Sequence, residues 1–423
     1  MSKSQCIHII GGGLQGCLTA WQIKKAKPSC QVILLEAADH LMSAFDSISI
    51  DGVELNNGFH GVEIPRAGDL VAFFQRELAI EFVITPNDRL LSIEGQLVAF
   101  DSPLDEYPTG LKKHFKANKD FHTENVADFW AVVSQEYKDT LQTVGSRYSD
   151  NIEKSQGLLV PWFFPADYVL DSPDEGTLFR NRVRKREIKP TYGFPTAATF
   201  SVLQPAIKKY LETLGVDVRL SITVDFTRDS IRYFSSAAGS VVNHEQADAV
   251  YYCASSALIL KSVEPKIYQA LSSEKRYLAN ALLQCNNNKE MPFFSEILCC
   301  DLQFPQLARL SQPNKEFSDV DCPGGLIQAE LFMRTKDEFL QYGDLLQERI
   351  AEILKPLSNC TLKLRGIKTT RQVYSPNQQD LAQADAFMLN WSRQFRNFHN
   401  RALYGPINMA KALMWAVEDA AAI

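Results

Sequence analysis

Three features near the start of this chain predict an α/β fold organised on a buried parallel sheet. The first is a run of mostly branched apolar residues, Cys6-Ile7-His8-Ile9-Ile10, the pattern of a strand covered on both faces. The second is the turn after it, where Gly11, Gly13 and Gly16 are spaced G-x-G-x-x-G. The third is a further apolar strand, Gln31 to Leu35, closed by the acidic Glu36. Between them Leu14, Cys17, Leu18 and Trp21 recur at helical spacing, and Lys27-Pro28 stops that helix.

Each position in this unit has a physical role. Gly11 allows the tight strand-to-helix turn, Gly13 lets a pyrophosphate approach the backbone, and Gly16 lets helix and strand pack closely. Leu14 and Gln15 open the helix, whose free N–H groups and partial positive charge suit phosphate. Glu36, 20 residues after Gly16, is placed to accept both hydroxyls of an adenosine ribose. The residues therefore predict a dinucleotide site made by Gly11, Gly13, Leu14, Gln15, Gly16 and Glu36. The acid requires a free 2′-hydroxyl, which disfavours NADP and leaves NAD and FAD.

At 423 residues the chain can hold two or three domains or one composite fold. Its 45 % hydrophobic and 22 % charged content is that of a globular protein, and a net charge of −6 gives no sign of a nucleic-acid or membrane partner. The nine cysteines are scattered without C-x-x-C, which predicts reduced thiols, with Cys6 and Cys17 on buried faces. There is no apolar leader and no apolar run of the ~18 residues that span a bilayer, so a cytoplasmic location is expected. No zinc spacing, P-loop or Ser-His-Asp signature occurs, and no metal is expected.

Beyond Glu36, Ser47 to Leu55 reads as a hairpin around Asp51-Gly52, Asn56-Asn57-Gly58 as a turn and Phe59-His60-Gly61 as loop. Ala67 to Ala79 reads as a helix with Leu70, Phe73, Phe74 and Leu78 on one face. This layout resembles the FAD-dependent amine oxidase, protoporphyrinogen oxidase and phytoene desaturase superfamily, UDP-galactopyranose mutases included. Asp51-Gly52, Asn57-Gly58, His60 and Pro65-Arg66 match its "dG…d.G.H" and "PR…L" segments. Ser43-Ala44 stands where that group has Gly-Gly, often with an Arg next, against the flavin phosphates and ribityl chain. By this resemblance Ser43 and Ala44 would touch the cofactor, the His60 loop would pass over the isoalloxazine, and Arg66 would reach phosphate or substrate.

Leu90 to Phe100 reads as a hairpin turning at Glu94-Gly95, and Phe121 to Val144 as a helix. Trp162-Phe163-Phe164-Pro165 is an aromatic cluster, and Arg180 to Lys189 is a basic run that suits a solvated face or an anionic substrate. Tyr192 to Ala257 resembles the segment with which these flavoproteins return to the dinucleotide domain: Tyr192-Gly193-Phe194-Pro195, a helix Phe200 to Leu214 capped by Gly215, strand over Val216 to Leu220 and Ile222 to Val224, another over Ser230 to Phe234, and Ala247 to Ser256. Ala197-Ala198 again replaces glycine, and Val224 backbone groups would hold the adenine. The resemblance thus implies FAD rather than NAD.

Leu258 to Leu283 reads as helix and turn, Pro292 to Phe304 and Leu326 to Met333 as strands, Thr335 to Leu354 as a helix, and Leu362 to Tyr374 as a strand. The chain closes with Gly405-Pro406 and a helix whose expected buried face is Ile407, Ala410, Leu413, Met414, Val417 and Ala421. In the resembling proteins that helix N-terminus faces the flavin pyrimidine, which would place Gly405, Asn408 and Met409 there.

The expected architecture is a Rossmann-type FAD-binding domain (1–80, 191–260, 376–423) with an inserted α+β substrate domain (81–190, 261–375). The expected function is an FAD-dependent oxidoreductase removing hydride from a small organic substrate, with His60, Arg66 and Tyr374 as candidate catalytic residues. The alternatives are a non-redox flavin isomerase acting on a nucleotide sugar and a dinucleotide-binding protein without catalysis. The sequence leaves the substrate and the oligomeric state open.

Overall fold

The structure, a computed structural model, describes residues 5–112 and 182–422 with short breaks, those of five or more residues being 236–240, 300–306, 313–324 and 401–408. The predicted helix Phe121 to Val144, the cluster Trp162 to Pro165, and residues His60, Arg66, Ala197, Ala198, Gly405 and Asn408 lie outside the described residues.

The first strand β1 (Cys6–Ile10), the helix α1 (Leu14–Ala26) and the strand β2 (Gln31–Leu35) form where the sequence predicts them. They belong to a five-stranded sheet in the order 216–219, β2, β1, 249–252, 398–400, and every pairing in it is parallel. Alternation along the strands builds a core on each side. Ile7, Ile9, Val32, Leu34 and Tyr251 pack with α1 and the helices 68–77, 203–213 and 409–422. Ile10, Ile33, Leu35, Val250 and Tyr252 pack with Ile259, Leu260, Met388 and Trp391 on the other side.

A second, seven-stranded sheet runs in the order 361–374, 275–286, 326–333, 307–311, 296–299, 89–93, 96–99. One face is apolar: Ala279, Ala281, Leu283, Ile327, Ala329 and Leu331 lie against Leu346 and Ile350 of the helix 343–354. The alternate positions carry a buried polar row, with Asn280 at 0 % exposure, Gln328 and Glu330 at 2 %, and Glu296 and Arg89 at 5 %. Beside it Leu282 and Leu326 meet Ile48, Ile50, Val53 and Leu55 of the hairpin 47–56, whose turn residues Asp51 and Gly52 both have positive φ. A three-stranded antiparallel sheet (62–64, 191–195, 82–86) stands next to the same polar row.

Several expectations are corrected. Leu258 to Leu283 contains two helices and the start of a twelve-residue strand, Lys275–Asn286. Both faces of that strand are covered, Leu278 and Leu282 being as deeply buried as Ala279, Ala281 and Leu283, so it lacks the alternation of a half-exposed strand. Thr335 to Leu354 is a short 3₁₀ turn followed by the helix Gly343–Leu354. The expected segments 216–220 and 222–224 are the strands Val216–Arg219 and Ile222–Phe226, which belong to different sheets and part at Ser221, whose φ is +57°. The strand expected over 247–256 is shorter, Ala249–Tyr252, and that expected from Pro292 begins only at Glu296, its part beyond Cys299 lying outside the described residues. Cys6 is half-buried rather than buried. On the last helix Met414 and Val417 are about half exposed and Ala421 is exposed, while Ala416, Asp419 and Ala420 are buried. This helix packs against α1, and close approach of two helices favours small side chains at the contact.

Candidate dinucleotide site

The glycine turn between β1 and α1 is shaped by three different constraints. Gly11 has φ +105°, and a Cβ there would lie 2.8 Å from the backbone nitrogen of Ala254. A Cβ on Gly16 would lie 1.9 Å from the carbonyl oxygen of Gly11, so helix and turn touch at that point. Gly13 differs: its φ is −69°, and a Cβ there meets nothing within 4 Å. The turn is therefore closed on the protein side at Gly11 and Gly16 and open at Gly13. Gly13 is also the N-cap of α1, with no side-chain cap and no acid in the first turn. The helix thus presents its N-terminal N–H groups and dipole without an internal anion.

Glu36 stands at the far end of β2, half-buried. Its Oε2 accepts from the Gly12 N–H at 2.6 Å and its Oε1 from the Ala38 N–H at 2.8 Å. Each oxygen retains a lone pair, so the carboxylate is oriented by the turn and still able to accept hydroxyls. The Glu36 carbonyl accepts from the Ile222 N–H at 2.9 Å. Val224 lies two residues further along the edge strand 222–226, so its N–H points to the same side, along the unpaired edge. Met42, with φ +58°, donates its N–H to the Gly12 carbonyl at 2.8 Å. That bond brings Ser43, exposed, and Ala44, half-buried, beside the glycine turn. His40 bridges Asp39 and Asp46, and Gln204 reaches Asp46 at 2.6 Å, which fastens this loop to the helix 203–213. The two carboxylates hold the His40 imidazolium above its ordinary pKa, the hydrogen bond to Asp39 contributing most.

The first turn of α1 divides its roles. The Leu14 side chain is in the core, so only its backbone faces the turn. Gln15 is 4 % exposed, and its Oε1 is a buried oxygen with no hydrogen-bond partner among the described residues. Its Nε2 donates to Thr19 at 3.1 Å.

The structure brings Gly11, Gly13, Leu14, Gln15, Gly16, Glu36, Ser43, Ala44 and Val224 to one end of the parallel sheet. Met409 starts the helix that packs on α1. Tyr374 ends the strand 361–374, opposite Lys275 in the seven-stranded sheet. Of the basic run, Arg182 is described and lies 3.6 Å from Glu187, both about half exposed.

A family model described as an NAD(P)-binding Rossmann-like domain matches residues 9–76. No curated protein matches the chain by sequence. Solved structures match along nearly all of it. A reduced UDP-galactopyranose mutase aligns over 99 % of this chain and 93 % of its own, at 14 % identity and a TM-score of 0.67. A provisionally named protoporphyrinogen oxidase from Exiguobacterium sp. 255-15 aligns over 99 % and 98 %, at 12 % identity and a TM-score of 0.64. Wild-type putrescine oxidase bound to putrescine aligns over 99 % of both chains, at 14 % identity and a TM-score of 0.61. The chain shares its fold with these three proteins. At these identities the likeness is one of architecture.

Residues that the motifs do not mark lie beside this site's neighbouring loop. The turn Asn56-Asn57, which leads to the His60 loop, is tied to the polar face of the seven-stranded sheet. Gln328 Nε2 donates to the Asn56 carbonyl and to Asn280 Oδ1, each at 2.7 Å. Asn280 Nδ2 lies 3.4 Å from Asn57 Oδ1 and 3.4 Å from Thr370 Oγ1. Nothing in the local pattern of 275–286 or 326–333 identifies these amides beyond their being polar inside apolar runs. No helix among the described residues is long and apolar enough to cross a membrane.

Proposed function

We propose that this chain is an FAD-dependent oxidoreductase that removes hydride from a small organic substrate. The observation that carries this reading is the glycine turn, closed at Gly11 and Gly16, open at Gly13, and flanked by an uncapped helix N-terminus and the oriented carboxylate of Glu36. These residues fit a dinucleotide: phosphate at the α1 N-terminus, ribose at Glu36, adenine along the Val224 edge. FAD is favoured over NAD because the whole chain, not only residues 9–76, follows the flavoenzyme fold. Bound there, FAD supplies the two-electron chemistry. The protein's part is to hold it, with Ser43 and Ala44 beside the turn and the last helix packed on α1, and to present the His60 loop from the Asn56-Asn57 anchor. On the resemblance of their segments, His60, Arg66 and Tyr374 remain the residues proposed to act on the substrate.

Purified protein precipitated with acid is expected to release FAD into the supernatant, because no covalent link is assigned. A colourless protein that also fails to bind added FAD would sink the reading. Anaerobic reduction by candidate amines and hydroxy compounds, followed by absorbance, tests the oxidoreductase half. Turnover of nucleotide sugars by the dithionite-reduced protein, without net oxidation, would replace that half with the isomerase reading.

A further inference from the structure

His40 stands between two carboxylates, and that geometry fixes its charge. Its Nδ1 lies 2.6 Å from Asp39 Oδ1 and its Nε2 lies 2.8 Å from Asp46 Oδ1. An ionised carboxylate only accepts, and a neutral imidazole carries a single N–H. Both contacts are hydrogen bonds only when the ring holds two protons, so the arrangement belongs to the imidazolium. Charged side chains on the neighbouring elements are engaged elsewhere. Glu36 accepts from Gly12 and Ala38, and Glu54 of the hairpin accepts from Ser47. Lys208 of the helix 203–213 pairs with Glu212, and Arg219 beside β2 pairs with Asp217. Asp39 and Asp46 are thus the charges that act on His40 among the described residues.

Asp46 is where this charge meets the dinucleotide site. Its Oδ1 also accepts from Gln204 Nε2 at 2.6 Å. Its N–H donates to the Ser43 carbonyl at 3.2 Å, closing the turn 43–45, and its carbonyl accepts from the Asn57 N–H at 3.3 Å. The same loop is seated on the glycine motif. The Met42 N–H bonds the Gly12 carbonyl, and a Cβ on Gly12 would lie 2.5 Å from the Leu41 side chain. When the imidazolium loses a proton, one ring nitrogen turns a lone pair toward a carboxylate, and one of the two bonds becomes a repulsion. Resting on the dinucleotide reading above, we infer that dinucleotide affinity is coupled to the charge of His40: the imidazolium locks the loop carrying Ser43 and Ala44 against the glycine turn, and its deprotonation loosens that loop. The pyrophosphate is anionic, so loss of a positive charge acts in the same direction. His40 is a positioning residue, acting through the loop. Asp39 and Asp46 raise its pKa, so the lock is complete below the ordinary histidine value near 6.5 and opens as pH rises through the folded value. By reciprocity, bound dinucleotide holds that proton more tightly.

The test titrates FAD into apoprotein from pH 6 to pH 8.5, followed by quenching of flavin fluorescence. The FAD pyrophosphate stays fully ionised over that range. The dissociation constant should rise about 2- to 5-fold, the scale of one half-exposed ion pair. His40→Gln keeps a donor and an acceptor without the charge, and its affinity should match the alkaline wild-type value at every pH. Asp39→Asn, on the exposed side, removes one of the two carboxylates and should move the midpoint of the wild-type curve to lower pH. It gives the comparison if His40→Gln does not fold. The ring signal of His40, followed by NMR, should titrate at higher pH with FAD bound than without it, which a role confined to loop stability would not produce. If wild-type protein binds FAD equally well at both ends of the range, or if His40→Gln or Asp39→Asn keeps the wild-type curve, His40 serves stability only and the inference fails alone. If wild-type protein binds FAD at no pH, it fails together with the dinucleotide reading.

Discussion

Gly13→Ala separates cofactor binding from folding at a single methyl group. The backbone of Gly13, at φ −69° and ψ −176°, is open to alanine without strain, and the added Cβ touches nothing within 4 Å. Two stability effects oppose each other. Fewer unfolded conformations favour alanine by about 0.4–1 kcal/mol. The N-cap position disfavours alanine relative to glycine by an amount of similar size, on the order of 1 kcal/mol. The net change in the stability of the apoprotein is therefore within about 1 kcal/mol of zero. The same methyl group occupies the space through which a pyrophosphate reaches the α1 N-terminus. Forcing a methylene into filled space costs about 1–3 kcal/mol, which is roughly 5- to 150-fold in affinity. Urea unfolding of the apoprotein and titration with FAD measure the two halves separately. Wild-type FAD affinity in Gly13→Ala would refute the placement of the phosphates. A large loss of apoprotein stability would refute the openness of the turn. Gly16→Ala is the contrasting variant: its Cβ would lie 1.9 Å from the Gly11 carbonyl oxygen, so it should fail to fold soluble protein.

Three further outcomes follow from the geometry. Glu296 is buried between two arginines, paired with Arg89 and 3.2 Å from Arg309, and accepts from the Tyr192 hydroxyl at 3.3 Å. Glu296→Gln should lower stability by about 3–5 kcal/mol in urea unfolding, and a loss below about 1 kcal/mol would show that the row of charges relaxes. The raised pKa of His40 means that its ties to Asp39 and Asp46 are fully present below the ordinary histidine value near 6.5 and are lost as pH rises through the folded value. The melting temperature should accordingly fall slightly from pH 6 to pH 8, and His40→Gln should flatten that dependence. Burial, then the Glu36 carboxylate and the Cys253 thiol, push the Cys17 thiol far up, and its Sγ donates to the Gly12 carbonyl at 3.3 Å. Folded protein treated with iodoacetamide at pH 8 should show Cys17 unmodified and the less buried Cys360 alkylated in peptide mass spectra.

The parts of the fold legible in the sequence are those whose physics is local. The unit β1, α1, β2 and Glu36 needs only strand pattern, helical spacing and glycine positions, and all of it appears in the structure. The hairpin turns at Asp51-Gly52 and Gly95 are legible for the same reason, because positive φ selects those residues. The strand 275–286 was not legible, since buried on both faces it lacks the alternation of a half-exposed strand. The last helix misleads because hydrophobicity points to Met414 and Val417, whereas the contact with α1 selects Ala416 and Ala420. The hydrogen bond from Thr19 to the buried Asp419 could not have been foreseen from sequence, for it arises only where two helices far apart in the chain meet. The helix Gln378–Ser392, likewise, declares its inner side through Ala384, Met388 and Trp391 only once the sheet is in place.

The order of strands in the parallel sheet sets a timetable for making this protein. Ile7 to Ile10 pair with Ala249 to Tyr252, and those in turn with Phe398 to Asn400. At ~5–20 residues per second, the free edge of β1 waits ~12–50 s on the ribosome before its partner is synthesised, and the outermost strand is made later still. For most of that interval, until the strand 216–219 adds beside β2, β1 and β2 present a two-stranded apolar surface, a template for pairing with the wrong chain. Such pairing between strands distant in sequence slows folding relative to a fold assembled from sequence neighbours. Removing the last 30 residues would leave an N-terminal unit that carries the whole glycine motif but lacks both the strand that closes the sheet and the helix that covers α1.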